Sequence, residues 1–326
     1  MAKNKKIADE VIDDVGEGEI VEAKVYQTQS KFAKWWYGTG LGWAFMLPFL
    51  VFFIIFTVIP LVSSIWYCFT YYDLVREPTF TGLENFRYML IDDDIFAIAF
   101  KNTFVLALLT GPTGYILSFF FAWIINNLKF RSFWVVAFYT PTMVSGTAVS
   151  IIWMVLFNNT RLGYLNYALL KIGLISEPIQ FTSDKAWITP IIVIISLWMS
   201  LGGNFLVFFA GLQNVRQELY EAAAIDGVES KYQELWYITL PMMKPQLLYT
   251  AITSITSAFA VGDICTTVAG NPSPDYCVHT LSLHIGDYSG ARLEVGYACA
   301  LSLVMFAITF TLGKFVMKLL SSKDEL

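Results

Sequence analysis

Long apolar runs recur six times along this chain, and short polar connections separate most of them. A helix that crosses a bilayer needs about 20 apolar residues, because backbone amides in the hydrocarbon core have no water to bond and must satisfy one another. The pattern therefore predicts an all-α, polytopic membrane protein with six transmembrane helices. The predicted helices are Leu41 to Tyr67, Asn102 to Ile125, Phe133 to Phe157, Ala186 to Leu212, Gln246 to Val268, and Leu293 to Met317.

One polar segment, residues 213–245, separates the fourth and fifth predicted helices and contains "LYEAAAIDGVESKYQELWYITLPMMKP". Glu221 and the alanines after it favour a helix, and Gly227 suits the left-handed turn that ends one. Ser230 and Gln233 have the spacing of a capping box, which predicts that a second short helix starts there. We expect Pro241 to end the second helix. Two short helices would then project from the membrane as a surface for docking another protein.

Composition and charge agree with a membrane protein. The 326 residues are 56% hydrophobic and 14% charged, with a mean hydropathy of +0.57, which is too apolar for an ordinary soluble domain. The net charge of −5 argues against a nucleic-acid partner. With six spans, the N-terminus and the polar segment lie on the same side of the membrane. Fourteen of the 21 lysines and arginines fall on that side, and seven fall on the opposite side. The positive-inside rule therefore predicts that both termini and the polar segment are cytoplasmic.

Candidate catalytic or metal-binding residues are few. The four cysteines are too scattered for a zinc site or a disulfide framework, and we expect thiols. His279 and His284 lie in the last predicted outer connection, far in sequence from other ligands, which favours a loop role over a metal site. No Gly-x-x-x-x-Gly-Lys-Ser/Thr phosphate loop is present. We therefore expect a non-catalytic chain that binds no metal and no cofactor of its own.

The polar segment carries a resemblance to a known family. "EAAAIDG" followed by "ITLP" resembles the EAA motif of ABC importer permeases, the coupling segment that such subunits insert into a groove of their ATPase partners. "FTGLENFRYML", "FKNT", "YTPTMVSGTAVSIIWMVLF" and "GNPS" resemble the maltose-type, carbohydrate-importing permeases, and the resemblance runs from about Leu41 to Met317. Ten residues separate Gly227 from Ile238, one more than in the family pattern, so we expect an extra turn residue near Glu229.

The resemblance implies a maltose-type ABC importer permease fold in the bacterial cytoplasmic membrane. The implied function is passage of a sugar, with an oligosaccharide favoured, by alternating access coupled to ATP hydrolysis. The implied partners are a second homologous permease, two ATPase subunits that hold ATP and Mg²⁺, an extracytoplasmic solute-binding protein and membrane lipid. The ATPase-coupling residues carried over are Glu221, Ala222, Ala223, Asp226, Gly227, Leu240 and Pro241.

Polar residues on the fourth and fifth predicted helices are candidates for the substrate pathway, because polar groups inside a membrane bundle are costly and suggest a cavity. These candidates are Ser196, Trp198, Ser200, Asn204, Thr253, Thr256 and Ser257. The alternative is that the small residues only let helices pack closely. Asp263, which we place inside the fifth helix, either bonds a sugar hydroxyl or pairs across the interface between two permeases.

The predicted organisation is a cytoplasmic tail (1–40), a six-helix permease domain (41–318) with its coupling loop at 213–245, and a short cytoplasmic tail (319–326). An ion-coupled secondary transporter is the alternative function. That class usually shows repeated halves with broken helices and ionisable residues in the membrane. This sequence has no matching halves, and Asp263 is its one candidate for such a carboxylate.

Overall fold

The computed structural model describes residues 40–144 and 146–320, which are mostly helical. The predicted tails lie almost entirely outside these residues. The described chain divides into two compact units between Ser64 and Ile65. The described part of the first unit is helical: α1 (Leu41–Phe53) continues through a π-helical turn (Ile54–Val58) into α2 (Ile59–Tyr67), whose last residues belong to the second unit. This helix is apolar on every side and buries no residue within the described chain, which suits a membrane-embedded helix.

The second unit begins with a two-stranded hairpin and a short helix. Strands β1 (Thr70–Tyr71) and β2 (Thr79–Phe80) pair antiparallel, with Thr70 opposite Phe80. The amide of Asn85, on α3 (Glu84–Ile91), donates hydrogen bonds to the carbonyls of Cys68 and Thr70. This side chain therefore ties α3 to the start of the hairpin.

Three long, uninterrupted helices of the second unit are apolar enough to cross a membrane: α4 (Asp94–Asn126), α8 (Lys185–Asn214) and α15 (Val295–Leu320). Aspartates cap the first two. The carboxylate of Asp93 accepts from the backbone N–H groups of residues 95 and 96, and that of Asp184 accepts from residue 186. These bonds satisfy amides that have no partner inside the helix, so each helix start is fixed by its local sequence.

Two further predicted spans are bent pairs of helices. The first pair is α5 (Arg131–Met143) with α6 (Gly146–Leu156), and the second is α12 (Lys244–Phe259) with α13 (Asp263–Ala269), which meet at 40°. The described chain thus has four helices that could each cross a membrane, or up to six if each bent pair is one span. Asp263 is the first residue of α13, directly after the break, and not inside a continuous helix as the sequence suggested.

The core lies where α4, α8, α12 and α15 pack on one another. Phe205, Phe208 and Met243 are fully buried and form one aromatic-rich cluster. Close approach of α4 and α8 depends on Gly114, since a Cβ there would lie 2.6 Å from Oγ of Ser200. Small residues at such contacts let membrane helices gain van der Waals packing that larger side chains would prevent.

Short elements complete the unit: α7 (Tyr164–Ile172), α9 (Gln217–Ile225), α10 (Lys231–Glu234), α11 (Leu240–Met242), a 3₁₀ turn (Pro274–Tyr276), α14 (Leu281–Gly286) and π-helical turns at Leu235–Thr239 and Asp287–Ala291. None of the four cysteines forms a disulfide. The expected loop role of the histidines is wrong in part. His284 lies on α14, and both His279 and His284 are only 1% exposed.

Candidate functional site

The predicted coupling segment, residues 213–245, is built from two helices that meet at a glycine. The first, α9, ends at Ile225, and Gly227 follows with a φ of +93°. A Cβ at Gly227 would meet nothing within 4 Å, so the glycine is required by the backbone conformation and not by space. The predicted end of the first helix is confirmed.

The second helix starts with the predicted capping box. The hydroxyl of Ser230 accepts from the backbone N–H of Gln233, and the Gln233 side chain accepts in return from the N–H of Ser230. A further bond runs from the N–H of Glu229 to the same Gln233 side chain. These reciprocal bonds fix the direction in which the chain leaves the turn.

Pro241 does not end the second helix, so that prediction is wrong. The helix runs from α10 through the π-helical turn Leu235–Thr239 into α11, and α12 begins directly after Met243. The backbone N–H of Leu240 donates to the carbonyl of Leu235, five residues back. Because the regular hydrogen-bond ladder is already interrupted there, the missing N–H of Pro241 removes little.

The π-helical turn is a second irregular feature of this longer-than-usual motif. A π turn holds one more residue than an α turn, because its bonds span five residues and not four. The π-helical turn at Leu235–Thr239 therefore holds one residue more than an α-helical turn would. The extra turn residue that the sequence predicts near Glu229 stays a prediction.

A side-chain contact joins the two helices at the π-helical turn. The hydroxyl of Tyr220, on α9, lies 2.9 Å from Oγ1 of Thr239, and Thr239 donates to the carbonyl of Glu234 at 3.2 Å. Thr239 is 3% exposed. The two helices are therefore held as one unit by a buried polar contact, as well as by the turn at Gly227.

Most of the predicted coupling residues lie on the surface of this unit. Glu221, Ala222, Asp226, Gly227 and Pro241 are exposed, whereas Ala223 and Leu240 are half-buried. Large apolar side chains stand beside them, since Ile225 is 87% exposed and Trp236 67%. The carboxylate of Glu221 accepts one hydrogen bond, from the Gln217 amide at 2.9 Å. An exposed apolar surface of this kind next to a carboxylate is typical of a docking site for a protein partner.

A cavity of about 400 Å³ with several hydroxyl and amide groups in its wall lies farther along the bundle, lined by residues of α4, α5, α6, α8, α12 and α13. The structure brings four of the predicted pathway residues to its wall, namely Ser196, Ser200, Asn204 and Ser257. The spacing of the first three explains why, because residues four apart share one face of a helix. The wall also includes Thr110, Tyr115 and Ser254, and it includes Asp263, for which bonding a sugar hydroxyl was one of the two predicted roles.

The other three predicted pathway residues do not line the cavity. Trp198, two positions from Ser196 and therefore on another face of α8, packs edge-on against Trp153 with ring centres 5.3 Å apart. The hydroxyl of Thr256 donates to the carbonyl of Ile252. Thr253 supports the wall from behind, since its Oγ1 lies 3.4 Å from Oδ1 of Asn204.

Some polar side chains of the wall already form hydrogen bonds within the chain, and others do not. The Asn204 amide donates to Oγ of Ser254 at 2.9 Å, and Ser200 donates to the carbonyl of Leu197. Oγ of Ser196 is buried and has no partner within the described chain. A buried hydroxyl without a partner costs free energy unless water or a ligand bonds it. Ser196 is therefore a candidate for a hydrogen bond with water or a bound molecule.

A buried network that the sequence did not suggest lies at the start of α4. Oδ2 of Asp93 accepts from the Tyr297 hydroxyl at 2.6 Å and from Nε2 of His284 at 2.8 Å. Nδ1 of His284 then accepts from Nε2 of His279, 3.2 Å away, a tautomer assignment that follows from the bonds. Asp93 and His284 are 191 residues apart, so no local pattern could have paired them.

The network shifts the protonation of its members. Burial alone opposes ionisation of Asp93, but hydrogen bonds from Tyr297 and His284 hold the pKa of its carboxyl below the usual value. Burial, reinforced by His284, lowers the pKa of His279. Among the described residues, no group of three or more His, Cys, Asp and Glu side chains is arranged to hold a metal ion. The hydrogen bonds from His284 and Tyr297 to Asp93 link α14 and α15 to the start of α4.

Comparison with known proteins identifies relatives over most of the chain. The family model described as "Binding-protein-dependent transport system inner membrane component" matches residues 110–323. "Probable ABC transporter permease protein YesP" of Bacillus subtilis (strain 168) is 32% identical over 272 residues, covering 82% of this chain and 86% of the relative. "Lactose transport system permease protein LacF" of Rhizobium radiobacter is 29% identical, covering 83% of this chain and 91% of the relative.

A solved structure has the same fold. A chain of "a bacterial ABC transporter involved in the import of the acidic polysaccharide alginate" superposes with a TM-score of 0.76 at 21% identity, covering 89% of this chain and 98% of that one. A second structure of a bacterial alginate ABC transporter, solved with an alginate pentasaccharide-bound periplasmic protein, gives a TM-score of 0.73 at the same identity.

Proposed function

Because the chain belongs to the family of binding-protein-dependent transport system inner membrane components, we propose that it is one permease subunit of an ATP-driven sugar importer. The observation that carries this function is the two-helix coupling segment, in which Gly227 and the Tyr220–Thr239 contact hold an exposed surface in one orientation. A rigid projection can transmit the movement of an ATPase subunit to the helices that continue from it. Here α12 begins at Lys244, within the last two residues of the segment, and forms part of the cavity wall.

The proposed topology has six spans, with each bent helix pair counted as one, and both termini in the cytoplasm of a bacterium. The distribution of lysine and arginine supports this orientation. The coupling segment then lies in the cytoplasm, and the Asp93–His284 network lies near the outer surface. The bacterial cytoplasmic membrane is the proposed location, as in the family description.

The proposed assembly contains a second homologous permease, two ATPase subunits and an extracytoplasmic solute-binding protein. The ATPase subunits, and not this chain, would hold ATP and Mg²⁺. Glu221, Asp226 and Gly227, with the alanines and the Leu240–Pro241 pair, are the residues we assign to ATPase coupling. A related transporter solved with its saccharide-bound periplasmic protein supports the binding-protein partner.

The cavity is the proposed substrate pathway. Sugar hydroxyl groups both donate and accept hydrogen bonds, so they match a wall of serine hydroxyls and one amide. In our account Ser196, Ser200, Asn204 and Ser257 contact the sugar, while Thr253 orients Asn204. Closure of the ATPase subunits would move the coupling segments and open the cavity alternately to each side.

Reconstitution tests this function. The chain is purified with the permease, ATPase and solute-binding proteins encoded beside it and placed in proteoliposomes. We expect saccharide uptake to require ATP on the side of the membrane where the ATPase subunits lie. Uptake should persist when ion gradients are collapsed. Uptake that needs no ATP and stops when a sodium or proton gradient is removed would instead identify an ion-coupled transporter.

A further inference from the structure

The wall of the cavity carries several polar groups but few charges. It contains hydroxyl and amide groups on five helices, but among the described residues that line it, Asp263 alone carries a formal charge. No lysine, arginine or histidine is part of this described wall. A bound carboxylate, sulfonate or phosphate would therefore find no cationic partner from this chain and would face a like charge.

Asp263 is free to act on a ligand. Its side chain is exposed at the start of α13, and within the described residues no hydrogen bond or ion pair engages its carboxylate. Like charges repel, so this carboxylate disfavours an anion that enters the cavity. Repulsion of anions is thus a direct consequence of its position.

The remaining wall groups fit a neutral molecule rich in hydroxyl groups. Ser196 belongs to the cavity wall, and its buried Oγ has no partner within the described chain, so this hydroxyl is available to bond one ligand hydroxyl. The carboxylate of Asp263 is an acceptor only and suits a second hydroxyl donor. Neither group needs a charge on the ligand.

We propose that this cavity passes uncharged saccharides and rejects anionic ones, with the Asp263 carboxylate as the residue that sets this selectivity. The proposal rests on the proposed function, because it takes the cavity to be the transport path. It narrows the substrate to neutral sugars and excludes uronates, sulfonated sugars and sugar phosphates as efficient cargo.

The first test measures the electrostatic selectivity of the cavity without any knowledge of the sugar. Ser257→Cys places a thiol in the wall, and Thr256→Cys, its exposed neighbour outside the wall, is the matched control. The assembled importer is treated with a cationic trimethylammonium or an anionic sulfonate methanethiosulfonate reagent, and modification of each peptide is followed by mass spectrometry. Rates are normalised to those of a small free thiol.

The quantity compared is the ratio of the cationic to the anionic reaction rate at each position. We expect this ratio to be on the order of tenfold higher at position 257 than at position 256. Asp263→Asn, combined with Ser257→Cys, should bring this ratio close to the control value. Equal normalised rates at 256 and 257, or a ratio that Asp263→Asn leaves unchanged, would overturn the assignment to Asp263.

The second test separates this proposal from the proposed function. ATP hydrolysis by the complete importer is measured with its solute-binding protein and a panel of glucose, galactose, xylose and arabinose oligosaccharides, together with uronate and phosphorylated forms. We expect every stimulating compound to be neutral. Equal stimulation by a uronate or phosphate form and by a neutral sugar would contradict charge selection. If no saccharide stimulates ATP hydrolysis, sugar import is contradicted, and the labelling result alone then tests charge selection.

Discussion

The hydroxyl of Tyr220 lies 2.9 Å from Oγ1 of Thr239, and this contact joins the first helix of the coupling segment to the π-helical turn of the second. Thr239 also donates to the carbonyl of Glu234, the residue directly before the π-helical turn. One hydroxyl group thus stabilises both the irregular turn and the angle between the helices.

Removal of that hydroxyl should weaken coupling. Thr239→Val keeps the shape of the side chain but leaves the Glu234 carbonyl and the Tyr220 hydroxyl without this partner, at a cost of about 1–3 kcal/mol. We expect a lower ratio of sugar-stimulated to basal ATP hydrolysis in the reconstituted importer. Thr239→Ser, which keeps the hydroxyl, is the control and should retain most of the stimulation. Equal ratios in the valine, serine and wild-type proteins would refute a positioning role for Thr239.

The orientation of the chain is open to a labelling test. Ser230→Cys places a thiol on the coupling segment, where the charge distribution predicts the cytoplasm. In intact cells an impermeant thiol reagent should leave this position unmodified, and the same reagent should modify it in inside-out vesicles. A control thiol at Leu162, which is 88% exposed in the connection predicted to lie outside, should show the opposite behaviour. Modification of position 230 in intact cells would reverse the topology and remove the coupling role.

The buried histidine pair predicts a dependence of stability on pH. Burial lowers the pKa of His279, so the folded protein binds fewer protons there than the unfolded chain does. Stability contributed at this site is therefore lost as the pH falls from about 6.5 toward the lowered folded value. We expect the thermal midpoint of the purified complex to fall between pH 7.5 and 5.5 by more in the wild type than in His279→Gln. The glutamine amide can still donate to His284, which makes it a suitable control. An equal fall in both proteins would assign the pH dependence to other groups.

Two residues on α8 separate substrate contact from packing. Asn204 lines the cavity, whereas Trp198 packs against Trp153 outside it. Asn204→Ala should reduce sugar-stimulated ATP hydrolysis with a near-normal yield of complex. Trp198→Ala should instead reduce the yield, because an aromatic contact worth about 0.5–1.5 kcal/mol and its buried area are lost. Normal yield with weakened stimulation in Trp198→Ala would mean that the tryptophan contacts the sugar in another conformation of the importer.

The sequence predicts those parts of the fold that depend on residues close together in the chain. Gly227 and the Ser230–Gln233 box were identified because a left-handed turn and a capping box depend on residues close in sequence. The serines on α8 could also be placed on one face from their spacing of four. Trp198 stands two positions away, and the same spacing rule shows that it belongs to another face.

Features that depend on tertiary contacts could not be read from the sequence. The Asp93–His284 pair joins segments that are distant in the chain. In the sequence, His284 and its neighbour His279 look like isolated loop residues. The break before Asp263 and the π-helical turn before Pro241 likewise replace regular helices by packing-dependent geometry. Apolar length predicts a span but gives no information about where the span bends.

The turn at Gly227 is the most specific requirement of the coupling segment. Its φ of +93° is unfavourable for a β-branched residue, although the site has room for a side chain. Gly227→Val should therefore change the angle between the two helices, and Gly227→Asn, which tolerates left-handed conformations better, is the matched control. Glu221→Ala tests the contact itself, because a charge-assisted hydrogen bond to an ATPase subunit would be worth about 1.5–3 kcal/mol.

Co-purification of the ATPase subunits with Gly227→Val and Glu221→Ala, measured together with ATP-dependent uptake, tests the coupling role most directly. We predict that both variants lose ATPase subunits or uptake, that Gly227→Asn retains more of each than Gly227→Val, and that the solute-binding protein binds its sugar unchanged throughout. Wild-type co-purification and wild-type uptake in both Gly227→Val and Glu221→Ala would contradict the assignment of residues 213–245 to ATPase coupling.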